Sequence, residues 1–124
     1  MVSLPGGDLL LAGGYTASGV TAATYLYTAG EWKPKASMNT PRYWSACATH
    51  MDQVWVGGTY YDDTVEIYSL AQDVWLPGPD LPYKANYPGE FVSHGHALFY
   101  VGGSGRRDIW QLNTAGDGWT FVSI

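Results

Sequence analysis

Apolar positions along the chain fall into short runs that end on glycines. "LLLAGG" (9–14), "VWVGG" (54–58) and "LFYVGG" (98–103) are three such runs. Short runs of aliphatic and aromatic residues bounded by glycine are typical of β-strands. Few stretches carry apolar residues at the spacing of a helix. The pattern therefore predicts an all-β chain with tight turns.

The double glycines recur at a nearly constant interval. Gly14 and Gly58 are 44 residues apart, and Gly58 and Gly103 are 45 residues apart. An interval of this size is the signature of a repeat architecture in which each unit is one supersecondary structure. The sequence therefore predicts about three repeats, over residues 8–43, 44–87 and 88–124.

Aromatic residues keep the same phase. The tryptophans of the three units are spaced by 43 and 44 residues and are Trp32, Trp75 and Trp119. Tyr25 and Tyr68 each precede the tryptophan of their unit by seven residues, and Leu112 takes that place in the third unit. Several offsets held through three units indicate duplication of one structural unit.

Each unit reads as four antiparallel strands, here named a to d in chain order. In the middle unit they are predicted over residues 44–50, 53–57, 64–69 and 73–76, with a tight turn at 51–52. The first unit starts at strand b, so its innermost strand is absent or reduced to the first few residues. Four-stranded units at this spacing are typical of β-propeller blades.

These motifs resemble the kelch repeat. A double glycine closes strand b, Tyr and Trp stand seven apart on strands c and d, and Met38, Pro41 and Arg42 precede the next unit. Tyr87 stands in the place of Arg42 before the third unit. The resemblance implies a kelch-type propeller in which the repeat residues have structural roles: Gly13, Gly14, Tyr25, Trp32, Gly57, Gly58, Tyr68, Trp75, Gly102, Gly103 and Trp119.

Three blades do not close a ring, because propellers usually have four to eight blades. Two explanations remain open. The chain is a partial propeller that belongs to a longer one, or two copies form a homodimer that completes a six-bladed ring.

Composition restricts the classes of partner that the chain is expected to bind. The formal net charge of −5 disfavours nucleic acid and anionic membrane surfaces as partners, since both require clustered basic residues. One cysteine cannot form an internal disulfide, which favours a reducing compartment and predicts a cytoplasmic location.

Partner binding is predicted at the end that carries the b–c and d–a connections, which is rich in tyrosine and arginine. These residue types dominate binding hot spots. The candidate residues are Tyr15, Arg42, Tyr43, Thr59, Tyr60, Tyr61, Ser104, Arg106 and Arg107. Arg42 has a second interpretation, as a bracket between blades. The arginines favour a protein or peptide partner with acidic segments.

Catalytic chemistry has little support in the sequence. His94 and His96 could present two imidazoles, and Asp62, Asp63 and Glu66 could hold a hard cation, but neither set has motif context. We therefore predict no catalytic residue, cofactor or metal. The resemblance implies a protein-interaction module, such as the recognition part of a ubiquitin-ligase adaptor or a cytoskeletal scaffold. The alternative is a small-molecule enzyme of the sugar-acid isomerase type.

Overall fold

The computed structural model describes residues 2–124, and these residues form β-strands and no helix. The strands are β1 Val2–Ser3, β2 Leu9–Ala12, β3 Tyr15–Thr16, β4 Gly19–Val20, β5 Thr24–Thr28, β6 Glu31–Lys35, β7 Ala46–His50, β8 Gln53–Thr59, β9 Asp62–Ser69, β10 Val74–Pro77, β11 Pro88–His94, β12 Ala97–Gly103, β13 Ile109–Leu112 and β14 Trp119–Ser123. No helix among residues 2–124 is therefore long and apolar enough to span a membrane.

Three antiparallel four-stranded sheets account for most of the strands. The first sheet has the order β1–β2–β5–β6, the middle sheet β7–β8–β9–β10 and the third sheet β11–β12–β13–β14. The short β3–β4 hairpin projects from the b–c connection of the first sheet. The predicted all-β class and the four-stranded antiparallel units are thus confirmed.

The innermost strands lie side by side, with β7 next to both β1 and β11. In the first sheet, this strand is the two-residue β1, in which Val2 pairs with Leu10. The sheets therefore face one another in chain order, an arrangement compatible with neighbouring propeller blades.

Turn geometry shifts some predicted boundaries. Asp62 pairs with Thr59, so β9 begins two residues earlier than predicted and only Tyr60 and Tyr61 form the turn. The turn at Met51 and Asp52 matches its prediction, and both residues have positive φ angles of 48° and 64°. Two left-handed residues give the turn a twist that suits an antiparallel hairpin.

The aromatic pairs differ between sheets because their hairpins differ in length. Trp75 pairs with Tyr68 across a four-residue turn, as the seven-residue spacing indicates. The turn of the β5–β6 hairpin is two residues shorter, so Trp32 pairs with Tyr27, and Tyr25 pairs with Pro34 instead.

The glycines that close strand b permit close approach between sheets. Gly13 and Gly58 both have positive φ angles, of 77° and 75°, which glycine adopts without steric cost. A Cβ atom on Gly13 would lie 2.5 Å from the carbonyl oxygen of Arg42, and one on Gly58 would lie 2.9 Å from Cβ of Pro88. Each glycine thus makes room for the segment that leads into the next sheet.

Two hydrophobic clusters fill the spaces between sheets. The first joins the first and middle sheets and contains Leu4, Leu10, Leu26, Met38, Val54, Val56, Tyr68 and Trp75. The second joins the middle and third sheets and contains Ala46, Trp55, Val65, Leu81, Phe91, Leu98 and Tyr100, with Trp119 packed against it.

The strand-d tryptophans show which sheet faces lack a neighbour. Trp75 is 7% exposed, and its indole N–H donates to the carbonyl oxygen of Ala36 at 2.8 Å. Trp32 has the corresponding position in the first sheet but is 48% exposed. No sheet covers it among residues 2–124. We call this surface the front face; it comprises Leu9, Leu11, Tyr25, Tyr27 and Trp32.

The third sheet has the opposite uncovered surface. We call it the back face; it comprises Val92, Phe99, Val101 and Ile109, which share one side of the sheet by strand register. Val92 is 44% exposed. Where two neighbouring sheets meet, the front side of the later sheet packs against the back side of the earlier one. The chain is therefore left with one uncovered front face and one uncovered back face.

Candidate functional site

Exposed aromatic side chains gather at the end of the sheets that carries the b–c and d–a connections, here called the loop end. A run of ring contacts crosses it, from Tyr15 to Tyr43 at 5.9 Å, Tyr43 to Trp44 at 6.0 Å and Trp44 to Tyr87 at 6.0 Å between centroids. We call these four side chains the aromatic run. Tyr15 is 74% exposed and Trp44 69% exposed, so the run presents a large apolar surface to solvent.

The backbone of Trp44 lies in the left-handed region, with φ at 52°. This conformation is rare for a bulky residue and costs about 1–3 kcal/mol. Hydrogen bonds of its neighbours hold it there. Tyr43 N–H donates to Oγ1 of Thr59 at 3.2 Å, Thr59 Oγ1 donates to the Tyr43 carbonyl at 2.9 Å, and Ser45 Oγ donates to the Gly58 carbonyl at 3.0 Å. The fold thus holds an exposed tryptophan in a fixed, strained position.

A groove opens beside Trp44, between the innermost strands of the middle and third sheets. Its volume is about 840 Å³, within the range of ligand sites. Its wall is formed by Trp44, Ser45, Ala46, Cys47, Tyr87, Pro88, Gly89, Glu90, Phe91, Val101 and Gly103. The aromatic run therefore continues into a concave, largely apolar site.

Tyr60 and Tyr61 form a second exposed pair at this end. Each is 54% exposed, and their rings meet edge to face at 4.6 Å. Tyr61 N–H donates to the Ala85 carbonyl at 2.8 Å, which attaches this turn to the connection before the third sheet. Both tyrosines are accessible where the sequence predicts partner contacts.

Arg42 is not accessible to a partner, because its side chain is fully buried. The guanidinium makes five hydrogen bonds within the fold. Nε and Nη2 donate to Oε2 of Glu66 at 3.3 and 3.1 Å, and Nη1 donates to the carbonyls of Gly58 and Thr64 at 3.2 and 2.9 Å. Nη2 also donates to Oγ1 of Thr64 at 2.9 Å. These contacts agree with the interpretation of Arg42 as a structural bracket.

Glu66 completes this bracket. Its Oε1 accepts hydrogen bonds from the backbone N–H and side-chain amide of Asn39 at 2.7 and 3.1 Å, and Oε2 accepts from Thr40 N–H at 3.1 Å. The pair Arg42–Glu66 therefore ties the connection after the first sheet to β9. Asp62 lies 3.9 Å from the guanidinium. Burial would raise the pKa of Asp62, but hydrogen bonds from Thr64 and the charge of Arg42 together lower it.

Tyr83 has the corresponding role at the next junction. Its hydroxyl donates to the Gly102 carbonyl, as Arg42 donates to the Gly58 carbonyl. The sequence placed Tyr87 in that position, but Tyr83, four residues earlier, makes the hydrogen bond, and Tyr87 lies on the exposed aromatic run.

The remaining basic candidates differ in their availability. Arg106 lies over the ring of Tyr83 at 3.9 Å and forms a salt bridge with Asp108 at 3.0 Å. Arg107 is exposed. Ser104 accepts a hydrogen bond from Asn86 N–H at 2.8 Å, so this candidate already supports the loop. The structure thus brings Tyr15 into contact with Tyr43, pairs Tyr60 with Tyr61 separately, and engages most of the polar candidates within the fold.

The sequence places residue 44 at the start of strand a and Tyr87 in the position of Arg42, and neither is among the candidate partner contacts; the structure begins β7 at Ala46, so Trp44 lies in the loop end. The signal was the pair of aromatics directly after Pro41 and Arg42, in a connection where polar residues are usual. Their importance depends on exposure and on the backbone angle of Trp44, which a single sequence does not reveal.

The opposite end carries the three histidines, His50 among them. Among residues 2–124, no group of three or more His, Cys, Asp or Glu side chains is placed to hold a metal ion. Buried His50 shares a hydrogen bond of 2.7 Å between its Nδ1 and Oγ of Ser93, which links the middle and third sheets. Burial, and then the charge of nearby His96, lower the pKa of His50 below its ordinary value of 6.5.

We expect the free energy of unfolding to fall as the pH drops below about 6.5. The folded-state pKa of His50 lies below the unfolded value, so the unfolded chain binds more protons in that interval. The stabilisation is complete above the unfolded pKa and is lost as the pH falls towards the folded pKa. Urea midpoints measured from pH 7.5 to 5.0 test this expectation.

His94 provides the matched control for this measurement because it is exposed. His50→Gln should flatten the pH dependence, and His96→Gln should reduce it by removing the neighbouring charge. His94→Gln should leave it unchanged. An undiminished slope in His50→Gln would assign the dependence to other groups.

No protein-family model matches the chain, and no curated protein is significantly similar to it in sequence.

Proposed function

We propose that the chain is part of a kelch-type β-propeller that binds a protein partner through its loop end. The observation that carries this proposal is the exposed aromatic run, with Trp44 held in a strained backbone conformation. Tyrosine and tryptophan offer large contact areas at low entropic cost, which is why they are enriched at interfaces.

The strain at Trp44 supports a binding role. A buried tryptophan contributes to stability through packing, but Trp44 is 69% exposed and its backbone conformation is unfavourable. Strained residues of this kind concentrate at functional sites, where a fixed geometry lowers the entropic cost of binding. We propose the substrate-recognition part of a ubiquitin-ligase adaptor, or a cytoskeletal scaffold, as the role of such a module.

Two of the arginines predicted to contact the partner are engaged within the fold. Arg42 belongs to the buried bracket and Arg106 is paired with Asp108, so the loop end presents fewer free cations than the sequence indicates. We therefore assign most of the partner contact to the aromatic run and to Tyr60 and Tyr61.

We also propose that the front and back faces are covered by further propeller surfaces. At both contacts between neighbouring sheets, a front side packs against a back side, so the two uncovered faces are suited to pack against each other. A second copy of this chain supplies both surfaces at once and would close a six-bladed ring, whereas additional blades of a longer propeller would cover them in the same manner.

Substitution at the loop end tests the binding role. In capture experiments with the purified chain as bait, we expect the triple variant Tyr15→Ser, Trp44→Ser and Tyr87→Ser to retain at least about tenfold less partner, since aromatic hot spots dominate interfaces. The control replaces Leu76 and Val122, which are 56% and 49% exposed outside the aromatic run, with Ser. Loss of the partner in the control but not in the triple variant would reject the loop end as the binding surface.

A further inference from the structure

We infer that the groove beside Trp44 receives a positively charged side chain, the arginine or lysine of a basic peptide segment. This inference rests on the proposed function and specifies the chemistry of the partner. It replaces the acidic partner that the sequence predicts.

Two aromatic rings in the wall of the groove form a corner. The rings of Trp44 and Tyr87 lie 6.0 Å apart at an angle of 83°, and both side chains are exposed. A cation held against two roughly perpendicular rings meets the negative electrostatic potential of their π faces. Among aromatic side chains, tryptophan attracts cations most strongly. Because neighbouring hydrogen bonds fix the backbone around Trp44, this corner exists before a ligand binds.

The charge of the groove has the sign that a cation requires. Glu90 is an exposed carboxylate in the wall, and the wall contains no Lys, Arg or His among the described residues. Phe91, on the other side of β11 from Glu90, contributes a buried aromatic surface to the wall. The chain as a whole has a formal net charge of −5, which attracts basic segments and raises their association rate.

Two cations of the loop end are engaged within the fold, and exposed Arg107 is not part of the groove wall. Arg42 is fully buried, and the guanidinium of Arg106 lies over the ring of Tyr83 and pairs with Asp108. The stacking of Arg106 on Tyr83 shows the same cation–aromatic contact already present in the fold. The carboxylates of an acidic peptide would lose their hydration in this groove and would find few free hydrogen-bond donors to replace it.

Three short labelled peptides test the inference. One alternates glycine with arginine, the second has neutral citrulline in place of arginine, and the third has glutamate. We expect the arginine peptide to bind more tightly than the citrulline peptide by about threefold to thirtyfold, the range that cation–aromatic contacts provide. Backbone amide NMR shifts should map its contacts to Trp44, Tyr87 and Glu90.

Matched variants separate the groove from general charge attraction. Trp44→Leu keeps an apolar side chain without the π face, and Glu90→Gln removes one charge at the groove. Each should weaken binding of the arginine peptide about threefold or more. Glu31→Gln, at an exposed carboxylate of the first sheet, removes the same charge elsewhere and should leave the affinity unchanged. Because Glu90 is exposed, the Glu90→Gln result does not depend on folding.

The outcomes distinguish this inference from the proposed function. Equal binding of the arginine and citrulline peptides, or equal effects of Glu90→Gln and Glu31→Gln, overturns the inference. Tighter binding of the glutamate peptide at the loop end also overturns it but supports a binding role for that end. Glu90 and Val101 share one side of the third sheet by register, so amide shifts confined to the front face, or to Val92, Phe99 and Ile109, overturn both.

Discussion

The 124-residue chain is expected to form dimers at micromolar concentration, and Trp32→Lys should dissociate them. Trp32 is 48% exposed on the front face, although the same position in the middle sheet, Trp75, is 7% exposed. A tryptophan at the centre of an interface contributes about 2 kcal/mol or more, so the dissociation constant should rise at least about thirtyfold. Sedimentation and the concentration dependence of the melting temperature measure this effect.

The back face should respond in the same way if it packs against the front face. Val92→Lys should also dissociate the dimer, since Val92 lies on the back face and is 44% exposed. Trp44→Lys is the matched control, because it also replaces an exposed tryptophan by lysine, but at the loop end. It should leave the dimer intact.

Mixing the two dissociated variants distinguishes ring closure from other dimers. In a closed ring each copy contributes its front face to one junction and its back face to the other. A mixture of Trp32→Lys and Val92→Lys copies keeps one unaltered junction and should form a heterodimer. In a front-to-front dimer, Val92→Lys copies would stay paired with one another and Trp32→Lys copies would stay monomeric, so mixing them would give no new heterodimer. A wild-type chain that stays monomeric and unfolds cooperatively would contradict self-association and favour further blades as the cover for both faces.

Repeat spacing predicted the sheets because it reflects packing that each unit must satisfy. Trp75 and Trp119 lie between sheets as their phase indicates, and the glycines at the ends of β2 and β8 admit the following segment. The spacing was less reliable for Tyr25. Tyr25 and Tyr68 each precede the tryptophan of their unit by seven residues. The β5–β6 hairpin has a shorter turn, however, so Trp32 pairs with Tyr27 and not with Tyr25.

The loop end was harder to predict because its side chains have alternatives that depend on distant residues. Arg42 is buried because Glu66, 24 residues later, offers a carboxylate on β9. An arginine in a connection without that partner would be exposed. Trp44 was missed because its left-handed backbone depends on Thr59 and Ser45, and neither bond is visible in a local pattern.

The bracket between Arg42 and Glu66 should be the most sensitive polar site in the fold. Replacing the arginine by methionine leaves the Glu66 carboxylate, which is 5% exposed, without its cation. Breaking a buried ion pair from one side costs about 3–5 kcal/mol, because the remaining charge is desolvated and uncompensated. We therefore expect Arg42→Met to lower the free energy of unfolding by that amount in urea denaturation. Arg107→Met, at an exposed arginine, should change it by no more than about 0.5 kcal/mol.

A second substitution should recover part of this loss. In Arg42→Met/Glu66→Gln the buried charge is gone, while the amide oxygen of glutamine can still accept a hydrogen bond from Asn39 N–H. The double variant should therefore be more stable than Arg42→Met alone, although Glu66→Gln destabilises the wild-type chain by leaving Arg42 unpaired. This reversal of sign is the expected result of a double-mutant cycle on a coupled pair. If the two effects simply add, the pair does not act as a bracket, and the burial of Arg42 contributes through packing alone.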